Sequence, residues 1–225
     1  MRPDVTKIGV VVPAHNEEEL IESCLRSIRS AARHSPLPVE LIVVADTCDD
    51  RTAEVALSYG SVIEVSHHNV GAARRAGFHA LREPQRTWLT TTDADSVVPD
   101  DWFAWQLIYA SAGVELLAGT VCVRDWSTYS HHVQNDYERR YRAARASTRI
   151  HGCNLGFLGS RYTSIGGFAS LAVDEDRDLV RRFLAAEARV VWSDAFPVTT
   201  SARTTGRAPG GFAAYLRTLG ALDGA

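Results

Sequence analysis

Residues 8–18 read IGVVVPAHNEE, and they carry the clearest secondary-structure signal in the chain. Its first five residues are β-branched except for Gly9, which is typical of a strand that is buried on both faces. Among the polar residues that follow, the pattern predicts Asn16 as a helix N-cap, with Glu19 three residues later completing a capping box. A buried strand that leads directly into a helix predicts the first half of a βαβ unit.

The same alternation continues along the chain. We expect further strands at 39–44, 61–65 and 87–92, with helices at 50–59 and 70–81 between them. Strands and helices that alternate at this spacing predict an α/β sandwich of the Rossmann type, with a mostly parallel central sheet and helices on both faces. The absence of a linker or an internal repeat predicts a single domain over residues 1–225.

The second half of the sequence is less regular. We expect a helix at 100–112, a strand at 114–124, a basic helix at 130–148 and an extended segment at 152–159. An acidic helix at 175–188 and a short strand at 190–192 follow. A loop rich in Thr, Arg and Gly at 199–211 then leads to a closing helix at 212–219.

Composition excludes several classes of protein. The 225 residues are 45% hydrophobic and 23% charged, as in globular proteins, and the net charge of -3 argues against a nucleic-acid partner. No apolar run has the length of a membrane span, and residues 1–18 do not resemble a signal peptide, so we expect no integral membrane segment and a cytoplasmic location. The four cysteines are far apart, which disfavours a zinc or disulfide framework. Lys7 is the only lysine, so a P-loop is excluded.

Polar side chains follow each of the first four predicted strands. Because ligands bind at the carboxyl ends of the strands in an open parallel sheet, these residues are candidates for a common site. They are Pro13, Ala14, His15, Asn16 and Glu17 after the first strand, Asp46, Asp49 and Asp50 after the second, His67, His68 and Asn69 after the third, and Asp93 and Asp95 after the fourth.

Asp93 and Asp95 form an Asp-x-Asp pair directly after the apolar strand TWLTTT. Two neighbouring carboxylates can hold Mg²⁺ or Mn²⁺ and leave coordination positions open for phosphate oxygens. The alternative is a solvated acidic turn that caps the helix near Asp100. A buried strand in front of the pair favours the metal.

Two further stretches have both a structural and a functional interpretation. Residues 174–176 read Asp-Glu-Asp at the start of a predicted helix, where acids suit the helix dipole, but where one of them can also serve as a general base. Residues 69–75, NVGAARR, open a helix with small residues. Its backbone N–H groups and an arginine can meet a phosphate, or the helix can simply pack close to the sheet.

Together these motifs resemble the family 2 glycosyltransferases of the GT-A fold. The ordered set is more specific than any single motif, and it covers about residues 8–185. It consists of Val11-Val12-Pro13-Ala14-His15-Asn16-Glu17-Glu18, Glu40-Leu41-Ile42-Val43-Val44 leading to Asp46, Asn69-x-Gly71 with Ala73-Arg74 and Gly77, Asp93-x-Asp95, Gly166-Gly167-Phe168 and Glu175-Asp176-x-Asp178-Leu179.

The resemblance implies a metal-dependent, inverting transfer of one hexose from a nucleoside diphosphate sugar, with UDP favoured, to an unknown acceptor hydroxyl. It divides the domain into a donor half, 1–98, and an acceptor half, 99–225. It also implies a role for each candidate residue. The base and ribose would be held by Pro13, Ala14, His15, Asn16, Glu17 and Asp46, and Asn69 and Arg74 would lie near the ribose or diphosphate. Asp93 and Asp95 would bind Mn²⁺ or Mg²⁺, with Asp93 on the ribose side. Asp176, or else Glu175, would be the catalytic base.

The sequence departs from the family pattern in places. Residues 45–50 read ADTCDD where many members have acidic-acidic-Gly-Ser, which leaves the nucleobase open. The Gln/Arg-x-x-Arg-Trp signature of processive synthases is missing, which favours the transfer of a single sugar. Arg203 and Arg207 either form a lid over the diphosphate or are solvated loop charges.

Three other interpretations fit parts of the sequence. Asp93 would be the nucleophile of a haloacid-dehalogenase-like phosphatase, although three strands precede it and no lysine follows. A non-catalytic protein that binds nucleotide sugars would share the fold. The basic stretch 137–149 could contact anionic lipid at a membrane surface, although its acidic residues favour an ordinary solvated helix.

Overall fold

The structure, a computed structural model, describes residues 5–206 and 211–221. Its centre is a seven-stranded sheet with the strand order β3-β2-β1-β4-β6-β5-β7. The strands in chain order are β1 (Lys7–Ala14), β2 (Val39–Asp46), β3 (Ser61–Val65), β4 (Thr87–Thr91), β5 (Leu116–Cys122), β6 (Leu155–Leu158) and β7 (Val190–Thr199).

Eight α-helices accompany these strands within the described residues. They are α1 (Ile21–Arg33), α2 (Thr52–Leu57), α3 (Val70–Ala80), α4 (Trp102–Ser111), α5 (His131–Ala143), α6 (Gly159–Ser164), α7 (Glu175–Ala185) and α8 (Phe212–Ala221).

Strands β1 to β4 pair in parallel, so their carboxyl ends lie at one edge of the sheet. Strand β6 is antiparallel to both β4 and β5, and β5 pairs in parallel with β7. The sheet is therefore mostly parallel, as expected. Pro13 is tolerated in the central strand β1 because the ladder with β4 covers only residues 7–11.

Two apolar layers cover the sheet. On one face α1 and α4 pack through residues such as Leu25 and Trp102. On the other face α3 and α7 pack through residues such as Phe78 and Phe183. Because neighbouring side chains of a strand point to opposite faces, Val10 belongs to the first layer and Val11 to the second. A smaller third cluster joins α5 to α8.

The predicted capping box is wrong. Helix α1 begins at Ile21, and Asn16 has a left-handed backbone with φ 53°. An N-cap residue needs an extended backbone, so Asn16 cannot cap this helix. Its side-chain oxygen instead accepts a hydrogen bond from the backbone N–H of Asp49, 2.9 Å away.

Two predicted boundaries in the second half are also wrong. The last strand was expected at 190–192 but continues to Thr199, because it pairs with β5 across an irregularity between Gly119 and Val121. The basic helix was expected to reach residue 148 but ends at Ala143, followed by a 3-10 turn at Ala146–Thr148. No helix among residues 5–206 and 211–221 has the length and apolar character to cross a bilayer.

Candidate functional site

The loops after β1, β2 and β3 each contain a residue with a left-handed backbone. These are Asn16, Thr47 and His68, with φ of 53°, 55° and 47°. This conformation is uncommon outside glycine, and for the β-branched Thr47 it is a clear outlier. Strained residues of this kind cluster at ligand sites, where the surrounding fold holds them in place. The edge where the predicted donor residues lie is therefore a constrained part of the molecule.

Asp46 fastens two of these loops together. Its carboxylate accepts hydrogen bonds from the backbone N–H groups of His67, His68 and Asn69, at 2.7, 3.0 and 2.9 Å. Burial alone would raise the pKa of Asp46, but these donors outweigh burial and lower it. Asp46 is 5% exposed, so in this structure it holds the loops after β2 and β3 together and does not face solvent.

The imidazole of His15 lies against the same loops. Its Nδ1 is 2.7 Å from the backbone oxygen of Asp46, and its ring meets that of His68 edge-on with 5.7 Å between the centroids. Asn69 caps helix α3, because its side-chain oxygen accepts from the N–H of Ala72 at 2.9 Å. The structure thus brings His15, Asp46 and Asn69 together at one end of the edge. Pro13 and Ala14 are buried at the end of β1.

Glu17 and Asp95 share one arginine. The guanidinium of Arg203 donates to both carboxylate oxygens of Glu17, at 2.6 and 2.7 Å, and lies 3.2 Å from Asp95 Oδ2. Arg203, one of the two predicted lid residues, therefore contacts Glu17 and Asp95 directly. Arg207, the other, lies outside the described residues. Burial and the neighbouring Asp93 raise the pKa of Asp95 to about 6, although Arg203 opposes this.

Arg74 connects Asp93 with helix α7. Its guanidinium donates to Asp93 Oδ1 at 2.6 Å and to Glu175 Oε1. The Arg74 side chain is 2% exposed, that of Glu175 is 9% exposed and that of Asp93 is 40% exposed. Arg74 is therefore enclosed by protein, and Asp93 is the partner that faces solvent.

Asp176 lies beside this ion-pair network. Burial and the negative charge of Glu175 raise the pKa of Asp176 to about 6, while Arg74 opposes the shift. A carboxylate with a raised pKa is a better proton acceptor than an ordinary aspartate, and such groups are typical of general bases. Arg74 thus brings Asp93 of the first acidic motif close to Glu175 and Asp176 of the second.

Sequence reasoning missed two supports of this network. Gly152 lies directly behind Arg74, where a Cβ atom would clash with the guanidinium. The thiol of Cys24 donates to the backbone oxygen of Asp93 at 3.3 Å. Neither residue stands in a motif, because each acts through a contact with a part of the chain distant in sequence.

The site fits a divalent cation in one respect. Asp93 and Asp95 are two carboxylates one residue apart in the chain, and burial together with the negative charge of Asp93 raises the pKa of Asp95. Within residues 5–206 and 211–221, no group of three His, Cys, Asp or Glu side chains forms a complete metal site. Mg²⁺ commonly binds one or two carboxylates and takes its other ligands from substrate phosphates and water. This pair fits that mode of binding.

The fold and this acidic edge define the class of protein. A mostly parallel sheet, flanked by helices and with paired carboxylates after its central strand, is the architecture of the GT-A glycosyltransferases. The model of glycosyl transferase family 2 matches residues 9–164, more than half of the chain, and the chain belongs to that family. The predicted family and fold class are confirmed.

One curated relative is an undecaprenyl-phosphate 4-deoxy-4-formamido-L-arabinose transferase from Pectobacterium atrosepticum. The two are 30% identical over 126 residues, which cover 54% of this chain and 38% of the relative. The chain therefore spans less than half the length of that relative.

Two solved structures share the fold. One is residues 1–349 of TarS from S. aureus in complex with UDP-GlcNAc, with a TM-score of 0.67, 14% identity and coverage of 90% of this chain and 60% of that one. The other is a mannosyltransferase from Pyrobaculum calidifontis in complex with GDP-Man and Mn²⁺. Its TM-score is 0.69, with 19% identity and coverage of 90% of this chain and 59% of that one.

Proposed function

We propose that this chain transfers one sugar from a nucleoside diphosphate sugar to an acceptor hydroxyl, with inversion at the sugar carbon. The observation that carries the proposal is the contact of Arg74 with both Asp93 and Glu175. This contact supports a single site that includes the Asp-x-Asp motif and the acidic helix N-terminus, although 101 residues separate Arg74 from Glu175. Such a site has acids at the donor end and at the acceptor end.

Asp176 is the proposed base. It takes the proton of the acceptor hydroxyl while the hydroxyl oxygen attacks the sugar carbon from the face opposite the diphosphate. The glycosidic C–O bond breaks, and its electron pair leaves with the nucleoside diphosphate. Because a single displacement forms the new bond as the old one breaks, the anomeric configuration inverts. The raised pKa of Asp176 supports its assignment over Glu175, whose carboxylate is engaged by Arg74.

Asp95 and Asp93 are the proposed ligands of Mn²⁺ or Mg²⁺. Such an ion, when bound, stabilises the charge that builds on the diphosphate leaving group. Arg203 contacts Asp95 in this structure, so it competes with an ion for that carboxylate. The P. calidifontis mannosyltransferase, solved with Mn²⁺, supports a divalent ion.

The donor binds, in this proposal, along the loops after β1, β2 and β3. Pro13 to Glu17, Asp46 and Asn69 frame the base and ribose, and Arg74 holds Asp93 in place beside them. A UDP-sugar is the favoured donor. The complexes of TarS with UDP-GlcNAc and of the mannosyltransferase with GDP-Man support a nucleotide-sugar donor in general. The division into a donor half, 1–98, and an acceptor half, 99–225, is part of the same proposal.

The test is release of nucleoside diphosphate from a panel of UDP- and GDP-sugars, with and without Mn²⁺. Asp176→Asn is expected to bind donor but to lose at least about 100-fold of the release rate, the range for loss of a general base. Asp174→Asn is the matched control, because Asp174 is 68% exposed and asparagine tolerates its left-handed backbone.

Equal loss of activity in both variants would contradict the assignment of the base. Donor binding without any release would instead favour the non-catalytic alternative. Phosphatase activity that needs no sugar nucleotide and disappears in Asp93→Asn would favour the phosphatase alternative, which family membership disfavours.

A further inference from the structure

Arg149 ends the basic stretch 137–149, and it differs from the other arginines there. Three of those others form ion pairs with Asp136 or Glu138, and Arg145 is exposed. Arg149 is only partly exposed, and its guanidinium has no hydrogen-bond or ion-pair partner among the residues that the structure describes. Charged groups that are removed from water are normally paired. Arg149 therefore lacks the counter-charge that its surroundings call for.

Tyr141 holds Arg149 and His151 together. The guanidinium carbon of Arg149 lies 5.5 Å from the centroid of the Tyr141 ring, which is the distance of a cation–π contact. The hydroxyl of the same tyrosine is 3.0 Å from His151 Nε2, and the two rings are 5.6 Å apart between centroids. Arg149 and His151 are thus fixed against one aromatic side chain, and we call them the Arg149–His151 pair.

The hydrogen bonds of Tyr141 determine which ring nitrogen of His151 is a donor. The Tyr141 hydroxyl accepts from the N–H of Val121 at 3.1 Å, and Nε2 is the acceptor within reach for its own proton. Nδ1 then carries the proton of the neutral ring. Nδ1 has no partner in the described part of the chain, and it is not one of the enclosed atoms that lack one. Its N–H is therefore open to solvent.

The charges around His151 are positive. Burial and the positive charges of Arg177 and Arg149 lower the pKa of His151 to about 4, so the ring is neutral near pH 7. A neutral imidazole with its N–H open to solvent and an unpaired guanidinium offer hydrogen-bond donors. Guanidinium groups form their strongest hydrogen bonds with the oxygens of phosphates and carboxylates. The Arg149–His151 pair therefore has the chemistry of a site for an anionic group.

The pair lies toward the end of the site where the proposed base is. Gly152 follows His151 directly, and it lies against the guanidinium of Arg74. Arg177, whose charge acts on His151, is the residue after Asp176 in α7. The pair thus belongs to the side of the site where the acceptor hydroxyl must approach Asp176, and not to the loops after β1, β2 and β3 that are proposed for the donor.

We infer that the Arg149–His151 pair binds an anionic group of the acceptor, a phosphate or a carboxylate, and so holds the acceptor beside Asp176. The inference rests on the proposed function for the word acceptor, but anion binding itself can be measured without turnover. In the complex, the guanidinium and the Nδ1–H group donate to oxygens of the anion.

The experiment is long-range ¹H–¹⁵N NMR of the histidine rings of the whole protein, with inorganic phosphate and acetate as probes at constant ionic strength. The signals of His151 are assigned by their loss in His151→Gln. In the free protein His151 is expected to be protonated on Nδ1. Addition of phosphate, acetate or both is expected to shift its signals in a saturable manner, and the probe that binds more tightly identifies the anionic group.

Arg149→Gln is expected to weaken anion binding about ten- to a hundredfold, the effect of a hydrogen bond to a charged group. Arg149→Lys keeps the charge but not the planar fork, and is expected to weaken it less. Arg145→Gln is the matched control, because it removes one exposed charge from the same stretch, and less than about a threefold effect is expected. The signals of His151 without added anion show whether each variant keeps the wild-type structure there.

Protonation of His151 on Nε2 in the free protein would overturn the inference. So would the absence of a saturable shift with both anions, or equal binding by Arg149→Gln and the wild type. Competitive displacement of the anion by UDP would overturn the assignment to the acceptor, since the pair would then bind the donor diphosphate. Anion binding without any nucleoside diphosphate release from the donor panel would contradict the proposed transferase activity and leave the anion site standing.

Discussion

Replacement of Arg74 by methionine isolates the energetics of the site without any ligand. Methionine keeps the length and the apolar stem of the side chain but removes the charge and the donors. The arginine is 2% exposed and pairs with Glu175, 9% exposed, and with Asp93, 40% exposed. Removing one member of a buried ion pair costs about 3–5 kcal/mol because the partner is left as an uncompensated buried charge. That loss is a large share of the roughly 5–15 kcal/mol that stabilises a typical domain.

The two carboxylates differ in exposure, so the cost is unevenly divided. Glu175 cannot regain water when Arg74 is lost, whereas Asp93 already faces solvent. The double variant Arg74→Met/Glu175→Gln is therefore expected to recover about half of the lost free energy of unfolding. The double variant Arg74→Met/Asp93→Asn is expected to recover less than about 0.5 kcal/mol, since an exposed charge is stabilised by solvent.

Urea denaturation followed by circular dichroism measures these differences. Arg181→Met is the matched control, because Arg181 pairs with Asp178 at 2.6 Å but is 78% exposed, and its loss is expected to cost less than about 1 kcal/mol. A cost below about 1 kcal/mol for Arg74→Met would show that burial does not make this ion pair costly to break. Equal recovery from Asp93→Asn and Glu175→Gln would show that the two carboxylates do not differ in their access to solvent.

Nucleoside diphosphate release is expected to fall about tenfold per pH unit below about pH 6, because burial and Glu175 raise the pKa of Asp176 to about 6 and a base must be deprotonated. Glu175→Gln removes one cause and is expected to move this limb of the pH–rate profile to lower pH; an unmoved limb would count against Asp176. Arg203→Ala is expected to lower the Mn²⁺ concentration that gives half-maximal thermal stabilisation in the presence of donor. Asp95→Asn is expected to abolish stabilisation by Mn²⁺. Unchanged Mn²⁺ affinity in Arg203→Ala would show that the arginine does not compete with the ion for Asp95. Glu187→Gly is expected to raise the free energy of unfolding by about 1 kcal/mol in a urea titration, because glycine adopts a left-handed backbone without steric cost. Glu187 has φ 55° just after α7, and its N–H donates to the backbone oxygen of Leu184 in a Schellman turn. A loss of stability would show that the glutamate side chain matters more than its backbone.

The parallel half of the sheet could be predicted because each of its strands is a short run rich in β-branched residues between turn residues. The strand predicted at 61–65 matches β3, and the one predicted at 87–92 differs from β4 by one residue. The direction of β6 could not be predicted. Its four residues, Leu155–Leu158, are apolar in either direction, and only their partners in the sheet decide it.

The site could be predicted only as separate pieces. The motifs at 93–95 and 174–176 are visible in the sequence, but their connection through Arg74 depends on contacts between residues 19 and 101 positions apart. The role of Asn16 was misjudged for a related reason. A capping box is a local pattern, and a contact with Asp49 across two loops overrides it. The roles assigned to the site residues stay predictions until the variants are measured.

The contact between Glu17 and Arg203 joins residues 186 positions apart. During synthesis, Glu17 at the end of β1 therefore leaves the ribosome long before Arg203, its partner, has been made. Until Arg203 has been synthesised, Glu17 and Asp95 do not have its positive charge beside them. The segment that follows β7 then supplies this charge. Neutralisation of this edge by Arg203 is thus a late event in synthesis, and a truncated product that stops before Arg203 would keep only Arg74 of these two arginines that pair with acids of the site.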